Sequence, residues 1–204
     1  LNYLNQFRKR SIDAWIHHAT KTIGNFNTQD LANSLSAFGR LNIHPPYQFI
    51  DAWIHHATKT IGNFNTQDLA NSLSAFGRLE IHPPDQFIDA WTHHATNSIN
   101  QFNSQNLSNS ILAFGRLEIQ PSDPFIQAWI HQATNSIDRF SPQELANSIW
   151  ALGRLEIQPS DPFIQAWIHH ATKSINQFNS QDLSNSIWAL GWLEIKPSSS
   201  FIEA

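Results

Sequence analysis

Trp15, Trp53, Trp91, Trp129 and Trp167 stand 38 residues apart, and the residues between them repeat with the same period. No other feature limits the fold so strongly. A repeat in the range of roughly 20–50 residues marks a solenoid or a related array, because each unit is too small to bury its own apolar face and must stack on its neighbours. The units fall at 11–48, 49–86, 87–124, 125–162 and 163–200. Residues 1–10 read as the degenerate end of a preceding repeat, and 201–204 as the start of a sixth. The chain opens without Met and stops inside a motif, so it is expected to be a piece of a longer protein.

The unit that starts at Phe125 shows why each repeat reads as a helical hairpin. Phe125, Ile126, Trp129, Ala133 and Ile137 lie on one face at helical periodicity. This is helix A. Asp161-Pro162 ahead of Phe163 reads as an N-cap followed by a first-turn proline. Position 14 holds Gly24, Gly62, Asn100, Asp138 and Asn176, residue types suited to a left-handed C-cap that ends the helix. Helix B opens on Ser141-Pro142-Gln143-Glu144, a capping box, with Asn27, Asn65, Asn103 and Asn179 as caps in the other units. Phe140 and Leu145 read as a hydrophobic staple around that cap. Gly39, Gly77, Gly115, Gly153 and Gly191 sit inside helix B, where glycine costs about 1 kcal/mol against alanine. Close helix–helix approach is the expected compensation. Prolines such as Pro83-Pro84 and Pro121 mark the links between hairpins. The fold class is therefore all-α: an α-solenoid of five tandem helix-turn-helix repeats.

Composition narrows the function. With no cysteine there is no disulfide framework, thiolate metal site or cysteine nucleophile. No apolar run reaches membrane-spanning length. The formal charge of −4 works against phosphate binding, although eleven histidines, with ordinary pKa values of about 6.5, make the charge depend on pH. No catalytic triad, phosphate-cradling loop or acidic pair stands out, and residues recurring in every unit do not form a unique active site. The chain is expected to be no enzyme and to need no cofactor. Adjacent histidines such as His17-His18 and His55-His56 point about 100° apart on a helix and do not chelate together, so no metal site is expected.

Two polar stripes carry the candidate binding residues. On helix A, one row is Asp13, Asp51, Asp89, Gln127 and Gln165. The constant row beside it is His17, His55, His93, His131 and His169, and a third is Lys21, Lys59, Asn97, Asn135 and Lys173. Constant histidines flanked by changing Asp/Gln and Lys/Asn fit a reader of base edges, with His stacking on a base. They fit a drifting, solvated helix face as well. On helix B the stripe runs through positions 19, 23, 26 and 30, as in Gln67, Asn71, Ser74 and Arg78. Arg40, Arg78, Arg116 and Arg154 hold position 30 until Trp192 breaks the row. These arginines either meet phosphates or pair with the acidic position 32 (Glu80, Glu118, Glu156), while the Gln and Asn are expected to hydrogen-bond loop backbone between units. The five spaced tryptophans are assigned to the core.

The stretch Ser141 to Leu155, SPQELANSIWALGRL, inside a 38-residue unit with a Phe/Trp face on its first helix, resembles the octotricopeptide repeat. Similar bacterial repeat proteins share the period. The resemblance covers 11–200 and is weaker in the first two units, where Ser36 and Ser74 replace the tryptophan. It implies an α-solenoid that binds single-stranded RNA at roughly one nucleotide per repeat. It also suggests an organellar protein or a bacterial, host-delivered one. The expected partner is single-stranded RNA; the alternative is a protein–protein interaction scaffold, such as an effector module, that takes a peptide in the same groove. The apolar last unit, with Trp188, Trp192 and Phe201, predicts end-to-end self-association.

Overall fold

The computed structural model describes residues 2–197, with side chains from Arg10 onward. Ten helices follow one another: α1 (Asn2–Thr22), α2 (Thr28–Leu41), α3 (Tyr47–Thr60), α4 (Thr66–Leu79), α5 (Asp85–Ser98), α6 (Ser104–Leu117), α7 (Asp123–Ser136), α8 (Pro142–Arg154), α9 (Asp161–Ser174) and α10 (Ser180–Trp192). Odd numbers are the A helices and even numbers the B helices. No strand occurs among the described residues. Each A helix packs on the next A helix and each B helix on the next B helix, which makes a two-layer α-solenoid. No helix of the described residues is long and apolar enough to cross a membrane.

The caps of helix B stand where the sequence places them. Asn27, Asn65 and Asn179 each accept from the N3 backbone N–H, and the N3 aspartate accepts from the cap's own N–H. Ser141 and Glu144 do the same in the fourth unit, which leaves two fewer orphan donors at each helix start. Phe140 and Leu145 on either side of that cap are both buried.

Two boundaries differ from expectation. Helix A begins at position 37 of the preceding unit, so Asp161 is its first residue and Ser160 its N-cap; no cap side chain hydrogen-bonds there. Pro162 lies in the first turn and its missing N–H costs nothing, because first-turn N–H groups have no intrahelical partner. Nor is position 14 left-handed. Helix A instead tightens into a 3-10 turn (Ile23–Asn25 in the first unit), closed by Phe26 N–H donating to Ile23 O at 3.0 Å. Gly24 and Gly62 have no positive φ. The left-handed residue comes at position 32, after helix B: Asn42, Glu80, Glu118, Glu156 and Glu194 have φ of 52–55°. The following isoleucine closes the motif, as where Ile43 N–H donates to Phe38 O at 3.1 Å.

The tryptophans hold the two layers and the successive units together. Trp53, Trp91, Trp129 and Trp167 are buried, and each indole N–H donates at 2.9–3.0 Å to the Leu carbonyl at position 21 of the preceding helix B: Leu31, Leu69, Leu107 and Leu145. Trp15 departs from the core assignment. It is 46% exposed, since no described helix B precedes it, and its ring packs against Phe38 and Phe49. The second histidine of three of the pairs also has a structural task. His56, His94 and His170 donate from Nε2 to the Phe carbonyl at position 16 of the unit before, at 2.9–3.0 Å.

Curvature follows from side-chain size. The B helices approach one another much more closely than the A helices do. Glycine permits this: a Cβ on Gly77 or Gly115 would lie 3.1 Å from the Cα of Ala113 or Ala151 in the next helix B. Between A helices stand aromatic triads, such as Trp53, Phe76 and Phe87 with ring centroids 5.3–5.9 Å apart. Narrow spacing on one layer and wide spacing on the other bend the stack toward the B helices, whose outer stripe lines the concave side.

Candidate nucleic-acid interface

The core lies between the layers, so the polar stripes of the two helices face away from each other. Helix A buries the face through Phe125, Trp129 and Ala133 and exposes the opposite face through Gln127, His131 and Asn135. Helix B buries Leu145, Ser148, Ile149 and Leu152 and turns Gln143, Asn147, Trp150 and Arg154 outward. The expected base readers and the expected phosphate contacts are thus on opposite faces. One strand does not meet both.

All fifteen helix A candidates are exposed. Asp13, His17 and Lys21 line a depression of about 840 Å³ together with His44 and Pro46 from the link to the next unit and Gln48 from the first turn of α3. His93 and His131 hydrogen-bond Asn97 and Asn135 one turn on, at 3.2 and 3.0 Å, so in units three and four the second and third rows satisfy each other.

The helix B face is organised differently. Arg78, Arg116 and Arg154 line one groove of about 440 Å³ with Glu80, Glu118, Trp150 and Trp188. Among the described residues the one ion pair is Arg154 with Glu118 of the preceding unit. Arg78 and Arg116 lack such a partner: the Arg116 side chain is exposed by surface area, but the packing around its guanidinium first, and then the Arg78 charge, lower its pKa. Two arginines facing one groove without an ion pair of their own leave positive charge there that a bound anion would take up.

The expected backbone bonds of the position 23 asparagines are not made. Asn71, Asn109, Asn147 and Asn185 are half-buried on the concave stripe, and none has a hydrogen-bond partner among the described residues. Inter-unit backbone is bridged by other side chains, for example His82 Nε2 to Leu117 O at 2.8 Å and Gln120 Nε2 to Leu155 O at 2.6 Å. The amides on the B stripe therefore remain available to a ligand.

Residues 6–194 match the family model described as the Tbc2 translation factor, N-terminal domain. The chain belongs to that family. No curated protein matches it. The match runs from within α1 to beyond α10, so the Tbc2 N-terminal family takes in the whole helical-repeat array and both polar stripes.

In this member of the family the sequence places position 26 on the helix B stripe but gives Trp150 and Trp188 no task there; the structure sets both indoles in the groove. The available signal was the helical wheel: position 26 lies with 19, 23 and 30 opposite the core, so a tryptophan there lies over the groove rather than under it. The strained glutamates escaped the sequence reading. Non-glycine residues at positive φ gather at functional sites more than elsewhere, and Glu80 and Glu118 stand in the groove wall.

Proposed function

We propose that this array is a non-catalytic, single-stranded RNA-binding module of the octotricopeptide type, sequence-selective and taking roughly one nucleotide per repeat. The observation that carries the reading is the row of arginines along the concave groove, with Arg78 and Arg116 unpaired and mutually repelling. The family's description as a translation-factor domain supports it. In this reading phosphates lie over position 30, and the free amides of Asn71, Asn109 and Asn147 meet base edges. The helix A rows, from Asp13, His17 and Lys21 to Gln165, His169 and Lys173, are a second face for a strand.

An RNA pull-down with sequencing at near-physiological salt tests this. Enrichment of a sequence class is expected, with log K falling against log salt at a slope of about −1.4 for the two uncompensated arginines, Arg78 and Arg116. If no RNA is enriched, the array is a protein-interaction scaffold. One observation favours that second reading: Glu118 already neutralises Arg154, and Glu80 lines the same groove, which suits a partner of mixed charge.

A further inference from the structure

We infer that Trp150 and Trp188 are base-stacking platforms, and that the groove they share with Arg78 and Arg116 seats one unpaired nucleotide by its base and its phosphate together. The inference rests on the RNA reading and adds where along the array stacking occurs.

The fold does not require an aromatic at this position. Units one and two carry Ser36 and Ser74 there, both buried, and unit three carries Leu112. Units four and five place an indole in the groove. The Trp150 ring lies over the preceding helix B, with Cζ3 3.3 Å from where a Cβ on Gly115 would stand, and Trp188 repeats the contact over Gly153 at 3.5 Å. Glycine at position 29 thus has a second use: it lets the edge of an indole approach the neighbouring helix and brings it beside the arginine that follows. Trp150 is half-buried and Trp188 is 40% exposed. Trp192 takes the arginine's place in unit five and stacks on Trp188 with an interplanar angle of 14°.

The chemistry of the groove is that of an unpaired nucleotide. Indole faces stack on any base, and guanidinium groups take phosphate oxygens through paired N–H donors. The arginines divide the labour. Arg154 is held by Glu118, so the uncompensated positive charge lies at Arg78 and Arg116, on the N-terminal side of Trp150. A base on Trp150 therefore has free cationic groups to one side and a second indole to the other. At position 26 the first two units offer only serine, so stacking is confined to the C-terminal half of the array.

The test uses the full chain, a fluorescein-labelled random-sequence single-stranded RNA 12-mer, and the same strand with abasic sites, which keeps the phosphates and removes the bases. Trp150→Ser and Trp188→Ser use the residue that units one and two already carry, and thermal melts check that both variants fold. Each is expected to weaken the base-containing strand about tenfold, as loss of one stacked base does. Binding of the abasic strand should not change. Trp150→Phe should recover most of the loss. Arg78→Gln with Arg116→Gln should weaken both strands. If the serine variants bind the 12-mer like the parent chain, or weaken both strands equally, the stacking assignment is overturned. If His131→Ala with Asn135→Ala removes binding instead, the strand lies on the helix A face; RNA binding then survives and this inference does not. If the parent chain binds neither strand, the RNA reading falls and takes the inference with it.

Discussion

Trp129 donates its indole N–H to the Leu107 carbonyl at 2.9 Å, across the junction between the third and fourth units. That carbonyl also accepts from Ser110 Oγ at 2.9 Å, so one helical peptide group binds the hairpin that follows it. Trp129→Phe keeps the ring and removes the donor, and should cost about 1 kcal/mol. Trp129→Ala should cost about 3–5 kcal/mol. Trp15→Phe, on a half-exposed ring, should be close to neutral. Urea denaturation of the three variants checks the order, and an equal cost at Trp15 and Trp129 would contradict it.

The glycines at position 29 separate packing from propensity. A Cβ on Gly115 would meet Ala151 Cα and Cβ at 3.1 Å and Trp150 at 3.3 Å, whereas Gly191 has nothing within 4 Å. Gly191→Ala should stabilise by about 1 kcal/mol through helix propensity alone. Gly115→Ala gains the same term but must push a backbone aside, and should lose about 1–3 kcal/mol net. Opposite signs in thermal melts are the expected result.

Backbone strain makes a second pair of opposite expectations from sequence and structure. Gly24 looks like a left-handed cap but has no positive φ and open space around it, so Gly24→Ala should stabilise by about 0.4–1 kcal/mol. Glu118 is the left-handed residue, at φ 53°. Glu118→Gly should gain about 1 kcal/mol of relieved strain and give up an exposed ion pair worth little. A loss of stability at Gly24 would restore the left-handed assignment there.

Arg116 sets stability against binding. The packing around its guanidinium and the Arg78 charge both oppose its charged form. Arg116→Gln removes that opposition, so the melting temperature should rise, while RNA affinity falls and the salt slope becomes shallower by about 0.7. A lower melting temperature would show that the guanidinium holds the fold together instead.

At the C-terminal end of the described array, α10 exposes Leu183, Ile187, Trp188 and Trp192. These positions in the preceding units are Leu145, Ile149, Trp150 and Arg154, of which the first two are buried. Phe201, which the sequence adds to this patch, lies outside the described residues. Self-association rising with concentration is expected in analytical ultracentrifugation, and Trp192→Arg, the residue of the other units, should reduce it. A chain that sediments as a monomer at every concentration would remove the expectation.

Periodic features were legible in the sequence because each rests on local chemistry repeated five times. Ser141 and Glu144 cap whatever follows them, and Trp129 falls on the apolar stripe whichever neighbour it meets. Non-local partners were not legible. His56 has no partner that spacing could name, and it caps Phe26 O in the unit before. Asn147 looked like a bridge to loop backbone and has no partner among the described residues, since Gln120 and His82 make such bridges. Which residue takes the left-handed conformation was misplaced from Gly24 to Asn42, because a 3-10 turn could end helix A without one.

The sequence by itself determined the period, the two helices of each unit, the N-caps of helix B and the apolar face of each helix, for these follow from propensity and spacing within 38 residues. Only the tertiary structure decided which stripe is concave. That depends on the contrast between glycine on alanine in one layer and tryptophan among phenylalanines in the other, a difference in spacing that exists only once units are stacked. The same stacking put the helix A rows and the arginines on opposite faces, and brought Trp150 beside Arg116 of a different repeat.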